Sequence, residues 1–184
     1  MEALGRLFDI GVAFTPVDLN TNNGATGKRI AMKNAGGCTF VYFAGVAASG
    51  TDDTVIDIQQ HQAASGGSPA DLDASGVAGS TGVTRYHYKR EALLDNDEPW
   101  VLVTQAAASE VTLTGATYAP LEHLVVIEVD ATALAPGYTH LSMDVTLTTS
   151  GARLGVGLYI LHDLVRPRQP ANLGNLLNPG AANA

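Results

Sequence analysis

Apolar and polar residues alternate along most of this 184-residue chain with a period of two, the spacing that predicts β-strands with one buried face. Residues 39–45 and 124–129 depart from this alternation because they are almost continuously apolar, and their valine, isoleucine and aromatic side chains favour buried strands. The predicted strands cover residues 8–14, 28–34, 39–45, 55–61, 83–89, 100–104, 110–114, 124–129, 140–147 and 154–161. Glycine, asparagine and proline separate these segments, as expected of turns.

No segment has the length and period of a stable helix. Residues 105–110 contain three alanines and predict at most one helical turn, which is too short to stand alone. Residues 63–82 predict a long loop rich in glycine, serine and alanine, and loops of that length are often interaction or insertion loops. The pattern therefore predicts an all-β fold, either an antiparallel β-sandwich or a barrel. Uneven loop lengths favour an eight-stranded jelly roll, since its connections cross between two sheets.

The two ends of the chain differ from the middle. Residues 1–27 are predicted as an N-terminal arm and linker, residues 28–162 as the β-sandwich body, and residues 163–184 as an extended C-terminal arm. Prolines in the last segment lack backbone donors and bias the preceding residues toward extended conformations. Apolar side chains on such arms gain free energy only against a surface. The predicted contact residues of the arms are Leu4, Leu7, Phe8, Leu173, Leu176 and Leu177.

Charge is sparse and unevenly distributed. Charged residues make up 15% of the chain, below the usual value of about 25%, and the net charge is −8. Residues 52–144 contain fourteen acidic and three basic residues, while the two ends have a small excess of basic residues. An acidic body repels phosphate, so we expect no nucleic-acid partner. The basic ends either dock on an acidic protein surface or have no significance, and composition does not separate these interpretations.

The sequence also bears on compartment and redox chemistry. No apolar run approaches the roughly 20 residues that cross a bilayer, and the first residues lack a secretory signal pattern, so we expect no membrane partner and assembly in a cytoplasm. The single cysteine, Cys38, excludes an intrachain disulfide. It precedes an apolar run, which predicts a buried structural thiol rather than a nucleophile.

Catalytic motifs are absent from the sequence. It has no Gly-x-Ser-x-Gly elbow, no phosphate-binding loop and no His-Glu-x-x-His pair. The five histidines are far apart along the chain, and the oxygen-rich residues 95–98 predict a solvated turn rather than a calcium loop. We therefore expect no enzyme activity, no catalytic residue, no metal and no cofactor. A cupin-like metal site is an alternative that requires several histidines to converge in the fold.

The aromatic residues allow two interpretations. Phe40, Tyr42, Phe43 and Trp100 are expected in the core, because burying each one stabilises a fold by roughly 1.5–3 kcal/mol. Alternatively, Trp100 and the 63–82 loop form the binding site of a jelly-roll module that recognises glycan or a host surface. A glycan-binding module usually has more aromatic residues than the 6% found here.

Four short segments carry a resemblance to a known class of protein. Residues 4–11 (LGRLFDIG), 27–34 (GKRIAMKN), 58–61 (IQQH) and 159–164 (YILHDL) resemble segments of small virion proteins of tailed double-stranded DNA bacteriophages, described as capsid decoration, cement or minor capsid proteins. The resemblance implies a non-enzymatic subunit on the capsid exterior that binds the major capsid protein. It also implies self-association as a homotrimer, and no cofactor. A tail or neck component is an alternative within the same structural class.

Overall fold

The computed structural model describes residues 3–147 and 151–165, and these residues form two antiparallel sheets packed face to face. The prediction of an all-β sandwich is confirmed, while the jelly-roll arrangement within it stays a prediction. No helix in the described part of the chain is long and apolar enough to cross a membrane.

Eleven strands account for most of the described residues. They are β1 (Phe8–Asp18), β2 (Ile30–Ala31), β3 (Ala35–Ala44), β4 (Thr54–His61), β5 (Ala70–Asp71), β6 (Val83–Glu91), β7 (Val101–Ala108), β8 (Glu110–Leu113), β9 (Glu122–Asp130), β10 (His140–Leu147) and β11 (Leu154–Leu164). One helical turn, α1 (Gly115–Tyr118), and one 3₁₀ turn (Ala131–Ala133) lie on either side of β9.

The strands are divided between a larger and a smaller sheet. The larger sheet has the order β1-β11-β3-β9-β6-β7, and the smaller has β2-β10-β4-β5, with β8 also paired to β4. Alternate side chains of each sheet point into the shared core, where Phe40, Tyr42, Ile58 and Met143 are fully buried. Because successive residues of a strand face opposite sides, the intervening side chains form the two outer faces of the sandwich.

Residues 8–18 belong to the sandwich and do not form the predicted N-terminal arm. They form β1, which pairs with β11 from Phe8 opposite His162 to Asp18 opposite Leu154. The period-two pattern of this segment buries Phe14 in the core. Pro16 is tolerated because it lies on an edge strand at an irregularity, where the register with β11 shifts between Phe14 and Val17. At the other end, β11 continues to Leu164, and residues 166–184 of the predicted C-terminal arm lie outside the described residues.

Two local predictions differ from the structure. The alanines of residues 105–108 extend β7 rather than forming a helical turn, because the hairpin with β6 supplies backbone partners that a lone turn lacks. The helical turn lies instead at α1, where Gly115 packs so closely on the backbone carbonyl of Thr51 that no side chain would fit. The long 63–82 segment contains the short strand β5, which pairs with the end of β4.

Candidate functional site

The outer face of the larger sheet is unusually apolar. On its central strand β3, Phe40 and Tyr42 point into the core and are fully buried, while Val41 and Phe43 point away from it. The neighbouring strands β9 and β11 repeat this arrangement with further aliphatic side chains on the outside. These three strands are therefore apolar on both faces, which is the pattern of strands that are covered on both sides.

Cross-strand register brings the outward apolar side chains into one continuous surface. One row across the sheet contains Val12, Leu158, Val41, Val126, His87 and Leu102. We define the apolar face as Ile10, Val12, Val41, Phe43, Leu102, Leu124, Val126, Val156, Leu158 and Ile160. Side chains opposite one another on adjacent strands are in contact, so the apolar face is contiguous over β1, β11, β3 and β9, while His87 and Lys89 of β6 separate Leu102 from the rest.

Much of the apolar face is accessible. Ile10 is 45% exposed and Leu102 is 53% exposed at opposite edges, and Phe43 between them is 36% exposed. Six strands about 4.8 Å apart and roughly eight residues long give a sheet face on the order of 700 Å². A standard protein–protein interface buries about 800 Å² on each partner. The apolar face occupies the part of this area that lies on β1, β11, β3 and β9, and the largest contiguous apolar patch of a monomer is often functional.

Trp100 extends the apolar face beside β7. Its side chain is 50% exposed, and the ammonium group of Lys89 lies 5.2 Å from the centre of its ring. The same ammonium is 3.9 Å from a carboxylate oxygen of Glu98. Trp100 and Phe43 are therefore not core residues, in contrast to the first interpretation of the sequence, whereas Phe40 and Tyr42 are. Trp100 is two residues before the outward Leu102, so its side chain emerges on the same outer side of the sheet.

The outer face of the smaller sheet has the opposite character. We define the acidic face as Val55, Asp57, Gln59, Asp71, Glu110, Thr112, Ser142, Asp144 and Thr146. Asp57 lies between Glu110 and Asp144 in the strand register. Partial burial, followed by repulsion from neighbouring carboxylates, raises the pKa of Asp57 to about 6. Burial also raises the pKa of Asp144, whose carboxylate accepts a hydrogen bond from the Gly27 amide at 2.8 Å.

The predicted contact residues of the N-terminal segment lie at the edge of the larger sheet. Residues 3–8 form a tight turn in which the Leu7 amide donates to the Ala3 carbonyl at 2.8 Å. Leu7 is 66% exposed and Leu4 is 37% exposed, while Phe8 is half-buried at the start of β1. They continue the exposed apolar surface of Ile10 rather than belonging to a separate arm. Leu173, Leu176 and Leu177 lie outside the described residues.

A polar cleft of about 460 Å³ opens where β6 and β9 diverge. The two strands are paired only from His87 opposite Val126 to Glu91 opposite Glu122, so their other ends separate. The charged or titratable side chains that line the cleft are Arg85, Glu128, Asp130 and His162. Its volume is within the range of small-molecule sites, but its lining mixes both charges and includes no aromatic residue.

Carboxylates meet in the turn between β6 and β7. Oxygens of Glu91, Asp97 and Glu98 lie within 4.8 Å of one another, and this is the only group of three such ligands found among the described residues. Glu98 already accepts a hydrogen bond from the Asp95 amide at 2.8 Å. Repulsion from Asp95 raises the pKa of Asp97. Glu98 is already bound by Lys89 and the Asp95 amide, and Glu91 and Asp97 are exposed to solvent. This arrangement is that of a solvated turn, as expected from the sequence.

Histidines converge only as a pair. His61 and His140 lie opposite each other on β4 and β10, and the Nε2 atom of His61 is 2.8 Å from the Ser142 hydroxyl. Burial, with a smaller effect of the nearby Arg29 guanidinium, lowers the pKa of His61 to about 4. The described residues provide no third ligand at this pair, so the geometry lends no support to the cupin-like alternative.

The environment of Cys38 agrees with the expectation from the sequence. Cys38 is fully buried, and burial raises the pKa of its thiol, so the prediction of a buried structural cysteine is confirmed.

The 63–82 segment and Trp100 are not brought together. Asp73 of that segment contacts the amide of Ser109 just after β7, whereas Trp100 precedes the first residue of β7. The eight residues of that strand separate the two points by roughly 26 Å.

Sequence reasoning missed the apolar face. A signal was present, because residues 39–45, 124–129 and 154–161 each contain apolar residues at both odd and even positions. Such strands need cover on two faces, and a two-layer sandwich covers only one. Comparison of the chain with protein-family models, curated proteins and solved structures gave no match.

Proposed function

We propose that this chain is a structural assembly subunit that buries its apolar face against a second copy of itself. The observation that carries the proposal is the set of ten outward aliphatic and aromatic side chains on the larger sheet, nine of which are contiguous and four of which are at least 36% exposed. Removing such surface from water contributes about 25 cal/mol per Å². The whole outer face of the larger sheet, an apolar centre with a polar rim, is on the order of 700 Å², close to what each partner of a stable interface buries.

The distribution of charge favours a second copy as the occupant. The chain has a net charge of −8, so two copies repel each other unless their acidic surfaces are kept apart. Contact through the larger sheets leaves the two acidic faces on opposite outer sides of the pair. A face that is apolar in one copy is also complementary to the same face in another copy, as an isologous contact requires.

The strand order supports the finer assignment of a jelly roll. Counting β1, β2, β3, β4, β8, β9, β10 and β11 as strands one to eight gives a sheet of order 1-8-3-6 over a sheet of order 2-7-4-5. This is the order of a two-sheet jelly roll, an architecture found in viral capsid and lectin domains. In this assignment the β6–β7 hairpin is an insertion that widens the sheet carrying the apolar face.

Within the class of assembly subunits, we propose a decoration protein on the exterior of a tailed-phage capsid. The resemblance of residues 4–11, 27–34, 58–61 and 159–164 to small virion proteins supports this location, as does the jelly-roll assignment. The resemblance implies the major capsid protein and a homotrimer of this chain as partners. The face-to-face contact proposed above closes at two copies, so a homotrimer forms through other surfaces of the chain. A subunit that binds only the assembled shell stabilises the shell by its binding free energy.

Immunogold electron microscopy tests the virion location. Particles are purified from lysates of the organism whose genome encodes the chain, and are labelled with antibody raised against the recombinant protein. Regularly spaced label on the outside of heads is the expected result. Label confined to tails or necks would move the proposal to the alternative location, and virions without label would overturn it.

One observation keeps a binding module as a second candidate. Trp100 is half exposed and its ring is free to stack on a ligand on the side away from Lys89. A glycan array compares the chain with a Trp100→Ala variant. Loss of a glycan signal in the variant would favour the binding module, whereas no signal with either protein removes this candidate.

A further inference from the structure

Arg153 lies in the interior of the sandwich. It precedes β11, and its side chain is only 1% exposed, which makes it the largest fully buried side chain of the described residues. A guanidinium cannot lose its proton near neutral pH, so this is a permanent positive charge in the core.

The contacts of this guanidinium leave one edge of it unpaired. Its Nη1 atom donates to the Thr54 hydroxyl at 2.9 Å, and that hydroxyl is neutral. Its Nε and Nη2 atoms are buried and have no hydrogen-bond partner in the structure. These two nitrogens form the edge through which arginine donates two parallel hydrogen bonds to an anion.

Tyr42 provides a third unpaired donor nearby. Its hydroxyl is buried without a partner, and its ring is fully buried. Burial raises the pKa of Tyr42, and the Arg153 charge offsets a smaller part of this rise. Tyr42 in turn offsets part of the lowering of the Arg153 pKa by burial. His123 adjoins this group, with its ring centre 5.7 Å from that of Tyr42. Its Nδ1 atom donates to the Leu121 carbonyl at 3.1 Å, which leaves its Nε2 atom as an acceptor.

No carboxylate of the described residues compensates the charge. Burial lowers the pKa of Arg153, and Tyr42 is the group that opposes this effect. Asp18 accepts a hydrogen bond from the backbone amide of Arg153 at 3.2 Å. The pKa of Asp18 is lowered by hydrogen bonds, first of all from the Thr21 hydroxyl, and not by the Arg153 guanidinium. Buried charges in proteins are almost always paired. Water satisfies donors but does not neutralise a cation.

We propose that a small inorganic anion of the chloride class binds inside the sandwich, at the Nε and Nη2 atoms of Arg153 and the hydroxyl of Tyr42. The anion enters when the chain folds and joins the larger sheet to the smaller one, since Tyr42 is on β3 and Thr54 begins β4. This site is independent of the apolar face and of any role in a capsid.

Thermal unfolding in matched salts tests the anion site. The full chain is refolded from denaturant into sodium gluconate, and chloride then replaces gluconate at constant ionic strength. The expected result is a saturable rise of the unfolding temperature by about 3–5 °C at ten times the dissociation constant. Three variants accompany the wild type: Arg153→Met, Tyr42→Phe, and Arg6→Met as a control at an exposed arginine.

The variants separate a bound anion from trapped water. The proposal predicts no chloride dependence for Arg153→Met, a several-fold weaker affinity for Tyr42→Phe, and the wild-type response for Arg6→Met. An unfolding temperature of the wild type that is unchanged by chloride would overturn the proposal, as would an equal response in Tyr42→Phe. Should Arg153→Met fail to fold, a crystal of wild type refolded in sodium bromide decides: an anomalous peak beside Arg153 supports the site, and its absence contradicts it.

Discussion

The two outer faces of this sandwich are built by the same period-two alternation, yet they have opposite chemistry. The larger sheet exposes valine, leucine, isoleucine and phenylalanine on four adjacent strands, with polar side chains such as Glu128 and His87 beside them, while the smaller sheet exposes aspartate, glutamate, glutamine and threonine. The acidic face is what a solvated sheet surface requires. The apolar face has no such explanation in a monomer, so the difference between the two faces indicates which side of the molecule is covered in its working state.

The largest expected effect on stability comes from comparing a core residue with a residue of the apolar face on the same strand, β3. Phe40→Ala removes a fully buried ring and should cost about 3–5 kcal/mol of unfolding free energy. Phe43→Ala, three residues further on the outer side, should cost about 1 kcal/mol or less in the monomer, because its ring is already 36% exposed. Urea denaturation at low protein concentration measures both. Equal costs would mean that Phe43 is a core residue and that the apolar face is wrongly defined.

The next effect belongs to the smaller sheet and is pH dependent. Burial holds the pKa of His61 at about 4, below its ordinary value of 6.5, so the unfolded chain binds the proton more tightly than the fold. This group therefore leaves stability unaffected above pH 6.5 and removes on the order of 2 kcal/mol as the pH falls toward 4.

Histidine titration followed by NMR checks this effect directly. His61 should titrate near pH 4 in the folded protein and near 6.5 in urea. The difference in stability between wild type and His61→Gln should grow in favour of the variant as the pH falls through this window, which cancels the effects of other groups. A folded-state pKa near 6.5 would contradict the buried position of His61.

A smaller effect is expected from the carboxylate at the centre of the acidic face. The pKa of Asp57 in the fold is about 6, above its ordinary value of 3.8, so protonation favours the fold below pH 3.8 and this contribution is lost as the pH rises through 6. Asp57→Asn should therefore stabilise the fold at pH 7 by about 1 kcal/mol, a value reduced from the full shift because the carboxylate is partly exposed.

A control on the other sheet sharpens this prediction. Glu128→Gln removes an exposed carboxylate from the larger sheet and should change stability at pH 7 by less than about 0.5 kcal/mol. Asp57→Asn should lose its advantage at pH 3.5, where the wild-type carboxyl is protonated. Equal unfolding midpoints for wild type and Asp57→Asn at pH 7 would show that the acidic face is fully solvated.

Much of the fold could be predicted from the sequence because alternation is a local property. Strands such as β10 and β11 were identified within a few residues from their period-two pattern. Strand partners are not local, so residues 8–18 were assigned to an arm although they complete the edge of the larger sheet. The same limit applies to β7, whose alanines are held in a strand by their partner rather than by their own propensity.

The apolar face could be identified only from the register of the paired strands. Val126 is outward on β9 only because Val125 and Ile127 point into the core, and its neighbours on the apolar face come from distant parts of the chain. The isolated charge of Arg153 is equally invisible in the sequence, where nothing distinguishes a buried arginine from an exposed one. The available signal was that apolar residues occur at both odd and even positions of these strands, which predicts that both faces of the strand are covered.

Sedimentation equilibrium of a matched pair of variants tests the central claim most directly. Val126→Lys charges the middle of the apolar face, and Val55→Lys makes the same change on the acidic face, at a valine of similar partial exposure. The wild type and Val55→Lys should sediment as oligomers at micromolar concentration, while Val126→Lys should be a folded monomer. A monomeric wild type, or an oligomer that Val126→Lys leaves intact, would contradict the account.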